Sequence, residues 1–323
     1  MKNNLDKKDL LVVEELVAKY SQTTSQISKV IVGQDEAVKQ ILSTIFVGGH
    51  ALLIGVPGLA KTLLVNTIAK ILGLNFNRVQ FTPDLMPSDI IGNDILNSNK
   101  EFQFIKGPLF CNILLADEIN ITPPKTQSAL LECMEEKKVT VGGQTYNLSL
   151  PFFVLATQNP IEQEGTYPLP EAQLDRFMYS ILLDYPTFEQ EVDIVKRTTL
   201  SKTENVQQIF TTEEILKYHD LVLSIPVNAN VINYAVELVQ KTRPNRSTSS
   251  SFVNKYINFG AGPRASQYLI LGSKINAILS GKYSPDIEDV QYIAPWVLSH
   301  RIVKNYKAET EGISTQNIIS NLL

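Results

Sequence analysis

The amino-acid sequence predicts an α/β fold: a parallel sheet flanked by helices, followed by a smaller domain that is entirely helical. Up to about residue 186, short apolar runs alternate with segments of helical periodicity, which is typical of parallel strands joined by crossover helices. From residue 187 onward the periodicity is helical. A glycine-rich turn at residues 55–62, between an apolar run and a helical segment, predicts a ligand site in the first part of the chain.

Length, composition and charge support this division. The chain has 323 residues, enough for two domains, and its 44% apolar content can fill both cores, which excludes a disordered protein. The formal net charge is −4, whereas domains that coat nucleic acid are usually strongly basic, so nucleic acid is not an expected partner. We therefore expect a nucleotide-binding core at residues 1–186 and a helical domain at residues 187–323.

The cysteines and histidines do not have the spacing of metal ligands. Cys111 and Cys133 are therefore interpreted as buried thiols in a reducing cytoplasm. The three histidines, at positions 50, 219 and 300, share no motif. Residues 1–9 do not resemble a signal peptide, and no apolar run reaches membrane-spanning length. We expect a soluble, cytoplasmic protein without membrane insertion.

The chain begins with two predicted helices, at residues 10–19 and 35–47. The apolar segment between them, residues 30–33, contains Val32 and Gly33 and could flank a purine ring. A packed loop before a helix explains the same pattern, and the pattern alone favours this second interpretation.

Residues 51–62 carry the strongest functional pattern. Residues 51–54 predict a buried strand, and the amphipathic segment 63–72 predicts a helix. The turn between them exposes backbone N–H groups beside the positive end of the helix, an arrangement that cradles phosphates. The amine of Lys61 can reach the outer phosphates, and the hydroxyl of Thr62 can hold Mg²⁺. An ordinary strand–turn–helix corner is the alternative.

Ala60 departs from the strict P-loop pattern, which has glycine immediately before the lysine. Alanine carries a single side-chain carbon, so it still lets a phosphate approach provided that its φ angle is negative.

Two carboxylates follow a later buried strand. Residues 76–81 alternate and predict one strand, and residues 113–116 predict another that ends in Asp117 and Glu118. Because parallel sheets bind ligands at the carboxyl ends of their strands, Asp117 can hold Mg²⁺ and Glu118 can activate an attacking water. An acidic turn in which Asp117 caps a helix is the alternative, and it is less favoured beside a P-loop.

Three further segments complete the first domain. A predicted strand at residues 152–156 is followed by Asn159, whose amide can position water or contact a γ-phosphate, although Asn-Pro is also a turn signal. A predicted short helix at residues 170–177 contains Arg176, whose guanidinium suits a developing phosphoryl charge. An ion-paired surface arginine is the alternative. The last strand is predicted at residues 179–183, a helix at 128–136, and hairpins at 95–104 and 138–147.

The second domain contains one feature typical of a site. Pro263 suits the first turn of a helix, so Arg264 lies at a helix start and can project toward a neighbouring domain. A surface arginine is the alternative. A polar loop is predicted at residues 243–252, and helices are predicted at residues 190–200, 212–223, 229–241, 265–279 and 287–300.

Five motifs, taken in this order, resemble the MoxR branch of the AAA+ ATPases. The resemblance runs from about residue 31 to residue 302, and alanine before the lysine fits this branch. It implies an AAA+ P-loop NTPase core with a parallel five-stranded sheet flanked by helices, and a smaller all-helical lid domain. The motifs are Gly55-Val-Pro-Gly-Leu-Ala-Lys-Thr62, Leu114-Leu-Ala-Asp-Glu-Ile-Asn120, Ala156-Thr-Gln-Asn-Pro160, Leu174-Asp-Arg-Phe177 and Gly262-Pro-Arg-Ala-Ser-Gln267.

The resemblance implies a role for each motif. The first corresponds to Walker A, the second to Walker B and the third to sensor 1. Arg176 falls where related proteins carry the arginine finger, and Arg264 falls where they carry sensor 2, a lid arginine that contacts the nucleotide. The implied catalytic residues are Glu118, Lys61, Asn159, Arg176 and Arg264, and the implied Mg²⁺ ligands are Thr62 and Asp117.

The resemblance also implies the nucleotide pocket and the pore. Residues 30–33 match an adenine-flanking loop, and the two hairpins match inserts, at about residues 84–107 and 139–148, that line the central pore in relatives. The implied nucleotide-binding residues are Val32, Gly33, Gly55, Val56, Pro57, Gly58, Leu59, Ala60, Lys61, Thr62, Leu63 and Arg264.

The same resemblance implies an ATPase that uses ATP/ADP and Mg²⁺ in a homo-oligomeric ring, expected to be a hexamer. Relatives act as chaperone-like remodellers of a protein client or in metal-cofactor maturation, many with a separate von Willebrand factor A domain protein. Two alternatives stay open: a nucleotide-controlled binding module with negligible turnover, and a nucleic-acid motor, which the acidic balance disfavours.

Overall fold

The structure is a computed structural model, and it describes residues 7–323 with the exception of residues 97, 99, 162–164, 201–204 and 248. Parts of three predicted segments lie outside the described residues: residues 1–6 of the polar N-terminus, residues 97 and 99 in the turn of the first hairpin, and residue 248 of the polar loop.

The first part of the chain forms a five-stranded parallel sheet with helices on both faces, as predicted. Two separate antiparallel hairpins, β3–β4 and β6–β7, accompany it. The strands are β1 (Ala51–Ile54), β2 (Phe76–Gln80), β3 (Gly92–Leu96), β4 (Phe102–Lys106), β5 (Ile113–Asp117), β6 (Lys138–Val141), β7 (Gln144–Asn147), β8 (Phe153–Gln158) and β9 (Tyr179–Leu182). The helices are α1 (Lys7–Val30), α2 (Asp35–Val47), α3 (Lys61–Leu72), α4 (Pro87–Ile91), α5 (Pro124–Glu136) and α6 (Glu171–Leu174).

The sheet is buried on both faces because its central strands are apolar at successive positions. Leu53, on β1, and Leu155, on β8, belong to one hydrophobic cluster, whereas Leu52 and Val154 belong to a second cluster on the opposite face. The strand order is β2-β5-β8-β1-β9. Since every pair in this sheet is parallel, all five strands end at the same edge, which we call the carboxyl edge; the other is the amino edge.

The N-terminal helix is longer than the sequence predicts, because α1 continues past residue 19 to Val30. The added turns are rich in serine and threonine, and their hydroxyls bond back to helix carbonyls, as Thr24 does to Tyr20 at 3.2 Å. Ile27 is buried in the core, so packing stabilises a stretch of weak helix propensity.

The second part of the chain, which we call the lid, is predominantly helical. A short antiparallel ribbon, β10 (Ile257–Phe259) with β11 (Val303–Lys304), adds strands that the sequence pattern did not predict, because each is only two or three residues long. The helices are α7 (Phe188–Leu200), α8 (Thr212–Ser224), α9 (Ala229–Lys241), α10 (Ser251–Tyr256), α11 (Pro263–Leu279), α12 (Ile287–Leu298), α13 (Tyr306–Thr310) and α14 (Thr315–Leu322).

The lid packs directly on the sheet domain. Helices α8 and α11 contact α2, and α12 contacts β9. Phe46 of α2 forms an aromatic cluster with Phe210 and Tyr218, at ring-centroid distances of 5.5 and 6.1 Å. The two parts therefore share one hydrophobic core.

Both cysteines are buried, as predicted. Cys111 and Cys133 are each 3% exposed, and burial raises the pKa of each thiol to about 12. Neither thiol is therefore ionised near neutral pH.

Over the described part of the chain, no single helix has both the length and the apolar character that a membrane span requires. Only α8 and α9 taken together meet the criteria of length and composition, and a bend of 93° separates them.

His50 is a buried polar group at the amino edge of the sheet. Its Nδ1 accepts a hydrogen bond from the backbone N–H of Val154 at 3.0 Å, and its Nε2 donates to the carbonyl of Met134 at 3.2 Å. Burial lowers the pKa of His50 to about 4, although the Met134 carbonyl partly opposes this shift. A second proton would break the bond from Val154.

We expect acid to destabilise the protein through His50. Its folded-state pKa lies below the ordinary value of 6.5, so the unfolded chain binds a proton first, and stability is lost as the pH falls from about 6.5 toward 4. Between pH 7 and pH 5 this amounts to about 2 kcal/mol. Urea unfolding of the parent and of His50→Gln at both pH values measures it. An equal pH dependence in the two proteins would contradict the assignment.

Candidate active site

The turn that follows β1 has the backbone of a phosphate cradle. A Cβ at Gly55 would lie 2.9 Å from the Cβ of Leu183, so only glycine fits against the end of β9. Gly58 has a φ of +88°, which favours glycine. The amine of Lys61 donates a hydrogen bond to the carbonyl of Gly55 and so spans the turn.

The backbone at Ala60 does not meet the condition of a negative φ. Its φ is 53° and its ψ is 28°, in the left-handed region, where it caps the start of α3. The chain must reverse direction between the turn and the helix, and this conformation does so at the last residue before Lys61. An L-residue here costs about 1 kcal/mol that glycine avoids.

An apolar pocket of about 160 Å³ lies beside the turn. Val32 from the α1–α2 connection, Leu59 and Leu63 from the turn and α3, and Ile194 from α7 line it. The segment at residues 30–33 is therefore a pocket wall as well as a packed loop. Apolar walls from three elements suit a flat aromatic ring.

The lid closes one side of this pocket. Arg197 of α7 donates hydrogen bonds to the carbonyls of Ser28 and Lys29, at 2.8 and 3.0 Å, near the end of α1. A Cβ at Gly33, where φ is +75°, would lie 2.5 Å from the side chain of Gln190. The positive φ is what favours glycine at this position, because the flexible end of the Gln190 side chain can move aside.

Asp117 and Glu118 lie at the carboxyl edge and are held by neighbouring side chains. Asp117 pairs with Arg78 at 2.7 Å and accepts a hydrogen bond from the hydroxyl of Thr157 at 2.6 Å. The N–H of Glu118 donates to the same hydroxyl at 2.8 Å, and the amide of Gln80 donates to its carboxylate. Thr157 therefore links both acidic residues to β8.

Asn159 lies on the loop after β8, between the turn and the two acids. It is 5% exposed, and its side-chain oxygen accepts a hydrogen bond from the N–H of Ile161 at 3.1 Å. Because β8 is the strand between β1 and β5, this loop separates Lys61 from Glu118. The structure thus brings Lys61, Thr62, Asp117, Glu118 and Asn159 to one edge of the sheet.

Arg176 lies at the opposite, amino edge. It precedes β9, and the N–H of Met178 donates to the carbonyl of His50, the residue before β1, at 2.7 Å. The four-residue strand β1 separates this edge from the turn by about 13 Å. The guanidinium of Arg176 donates to the carbonyl of Leu131.

Arg264 also lies at the amino edge, remote from the phosphate cradle of its own chain. It is the second residue of α11 and pairs with Glu135, near the end of α5, at 2.7 Å. One turn later on α11, the hydroxyl of Tyr268 donates to the carbonyl of Arg176 at 3.4 Å. Helix α11 packs against α2, and its first turn lies at the edge remote from Lys61.

Sequence reasoning did not assign Arg78, Gln80 and Thr157. Arg78 and Gln80 alternate on β2, and this spacing places both side chains on the same face. The alternation can be seen in the sequence. That Gln80 lies opposite Asp117 on the neighbouring strand can be known only from the strand order.

Family models match both parts of the chain. Residues 50–179 match a model described as "ATPase family associated with various cellular activities (AAA)", and residues 249–322 match the AAA lid domain.

Individual relatives match nearly the whole chain. The chain is 42% identical to the chaperone MoxR1 of Mycobacterium tuberculosis, over 92% of this chain and 79% of that protein. It is 41% identical to YeaC of Bacillus subtilis, an uncharacterised protein, over 96% and 95%. A crystal structure of a candidate ATPase from Cytophaga hutchinsonii is 44% identical, with a TM-score of 0.90 over 98% of this chain and 96% of that one.

The left-handed conformation of Ala60 predicts opposite outcomes for two substitutions. Ala60→Gly should keep ADP affinity within about twofold, because glycine adopts a φ of 53° without strain. Ala60→Val should weaken affinity roughly tenfold, because a β-branched residue forces the turn to shift. Calorimetric titration of both variants with ADP and Mg²⁺ measures this. Equal affinities in the two variants would contradict the prediction.

Proposed function

The chain belongs to the MoxR family of AAA+ ATPases, and on that premise we propose that it hydrolyses ATP at the interfaces between subunits of a ring. The observation that carries the proposal is the division of the site between two edges. The phosphate cradle and the acids occupy the carboxyl edge, whereas Arg176 and Arg264 occupy the amino edge. Joining two different edges is a head-to-tail contact, which generates rings when the rotation closes.

The residues at the carboxyl edge fit Mg²⁺ and ATP. Thr62 and Asp117 offer hydroxyl and carboxylate oxygens, the ligand type that Mg²⁺ takes, and Asp117 is already paired with a cation, Arg78. When bound, Mg²⁺ neutralises charge on the phosphates. The pocket beside Val32 and Leu63 accepts the adenine ring.

In the proposed reaction Glu118 orients and activates the attacking water, and Asn159 helps to position it. Lys61 bonds to the Gly55 carbonyl, and Gln80 bonds to Glu118. When the triphosphate binds, the amine of Lys61 would bond to phosphate oxygens instead of the Gly55 carbonyl. Release from Gln80 would leave the carboxylate of Glu118 free to bind the water.

The amino edge supplies positive charge to the neighbouring subunit. Arg176, Lys137 and Glu135 line one pocket of about 200 Å³, and Arg264 pairs with Glu135 at its margin. A γ-phosphate from the adjoining subunit can replace the Leu131 carbonyl as the partner of Arg176. An arginine supplied in this way contributes roughly 10³–10⁵ in rate. We assign the same interface role to Arg264, as sensor 2 acting on the neighbour's nucleotide.

The motor would act as a chaperone-like remodeller of a protein client, as the name of the mycobacterial relative indicates for that protein. The β3–β4 hairpin carries exposed apolar side chains that can contact a client, with Phe102 80% and Leu96 58% exposed. We further propose a hexameric ring, a cytoplasmic location, a core at residues 1–186 and a lid at 187–323. Maturation of a metal-dependent client, together with a separate von Willebrand factor A domain protein, belongs to the same proposal.

A nucleotide-controlled binding module with negligible turnover is the second candidate, and the contacts of the two acids favour it. Arg78 pairs with Asp117 and the amide of Gln80 bonds to Glu118, so protein side chains engage both acids. Turnover per subunit measured against protein concentration separates the two functions. If each site is completed by the neighbouring subunit, turnover per subunit rises as rings assemble. If the protein is a binding module, turnover stays near zero at every concentration.

Glu118→Gln should keep ATP binding and lose turnover by roughly 10²–10⁴, because the amide cannot take a proton from water. Phosphate release and ATP titration measure the two quantities. Turnover at the parent rate would remove Glu118 from its assigned role.

Mixing two inactive variants tests the shared site. Lys61→Ala has a defective phosphate cradle but keeps the arginine finger. Arg176→Ala keeps the phosphate cradle but lacks the arginine finger. Mixed rings should recover turnover, because Lys61→Ala subunits supply Arg176 to intact cradles. Each variant alone is expected to lose activity by roughly 10³ or more. If mixtures stay as inactive as the separate variants while ring mass is unchanged, Arg176 does not act between subunits.

A further inference from the structure

Arg301 carries a buried guanidinium that has no role in the proposed reaction. It follows α12 in the lid and is 6% exposed. Its Nε donates to the carboxylate of Asp175 at 2.7 Å, and its Nη2 donates to the carbonyls of Asp175 and Phe177 at 2.9 and 2.7 Å. Its Nη1 donates to the carbonyl of Met178 at 3.3 Å and to that of Val297 in the lid. These contacts engage all three nitrogens of the fork.

Residues 175–178, which we call the finger segment, surround Arg176 and are held by two more lid side chains. The Nε2 of His300 bonds to the carbonyl of Phe177 at 3.0 Å, and the hydroxyl of Tyr268 donates to the carbonyl of Arg176 at 3.4 Å. The ring of Tyr268 also lies 5.2 Å from the guanidinium carbon of Arg301. Each of the four carbonyls in the finger segment therefore accepts a hydrogen bond from the lid.

This arrangement is costly if its only purpose is stability. A buried charge must be desolvated, and well-packed apolar residues of similar volume often stabilise a protein as well or better. Arg301 instead directs its fork at the backbone on both sides of Arg176. These contacts hold the backbone around Arg176 and so set the orientation of its side chain. A movement of the lid would therefore change that orientation.

We infer that Arg301 is a positioning residue that ties the arginine finger of each subunit to the lid of the same subunit. The inference rests on the proposed function, in which Arg176 completes the neighbour's site. Because α7 of the same lid lines the nucleotide pocket, a lid movement caused by nucleotide in one subunit would move the finger that enters the next. Arg301 would thus transmit the state of one site to its neighbour.

The test uses Arg301→Lys, which keeps a buried cation but lacks the planar fork, and Asp175→Asn, which keeps the backbone carbonyls. Both should lower turnover, Arg301→Lys by a factor on the order of 10² because the finger is misplaced. ATP affinity should stay within about twofold, since each subunit's own cradle is untouched. Ring mass and the midpoint of thermal unfolding show whether the variants remain folded and assembled.

Mixed rings separate a positioning role from a structural one. Arg301→Lys subunits should recover turnover when mixed with Lys61→Ala, which supplies an intact finger, and should stay inactive with Arg176→Ala, which supplies none. Hydrogen exchange should be faster at the backbone of residues 175–178 in Arg301→Lys. A damaged fold would prevent recovery with either partner.

Lys274→Met is the matched control. Lys274 is another buried lid cation, 9% exposed, and it donates to the carbonyl of Leu223 within the lid at 2.8 Å. Its substitution should leave turnover within about twofold, because the finger segment keeps its contacts. Full turnover in Arg301→Lys would overturn the inference. So would failure of Arg301→Lys to recover with Lys61→Ala when Arg176→Ala does recover, and in that case the proposed function would stand.

Discussion

A parallel sheet has two chemically different edges, and this asymmetry governs the rest of the molecule. All five strands end at one edge, where turns expose backbone N–H groups and the strand-end carboxylates collect. The residues that precede the strands collect at the other edge. The four-residue length of β1 keeps the two edges about 13 Å apart. Arg176 and Arg264 lie at the amino edge, so they are separated from the phosphate cradle of their own chain by about the length of β1.

At the carboxyl edge, the order of the strands determines which side chains meet. Placing β8 between β1 and β5 puts Thr157 within hydrogen-bonding reach of both acidic residues. Placing β2 outside β5 brings Arg78 to Asp117 and Gln80 to Glu118. Neighbouring side chains therefore hold both acids. The energy of these contacts is moderate because Arg78 is partly exposed, so a ligand of higher charge can displace it.

The lid touches both edges at once. Its first helix forms one wall of the apolar pocket through Ile194 and is tied to α1 by Arg197. Its far end holds the finger segment through Arg301, and α11 places Arg264 beside it. Between these points the lid packs on α2 through a continuous hydrophobic core. Packed interfaces switch between discrete arrangements rather than deforming gradually, so a shift of the lid against α2 would reach both edges together.

Local sequence is sufficient to predict the features whose residues are neighbours along the chain. The strand–turn–helix at residues 51–72, the carboxylate pair after β5 and the α2 and α9 helices follow from local periodicity, glycine placement and strand-end polarity. Tertiary structure decided the features that join distant residues. The left-handed φ of Ala60 depends on how the closed turn meets α3, and the pairing of Arg78 with Asp117 depends on strand order. The edge that Arg264 occupies and the contact of Arg301 with Asp175, 126 positions away, depend on how the lid packs. Local patterns report which face of an element is apolar, but not which other element covers it, and only the packed chain settles that choice.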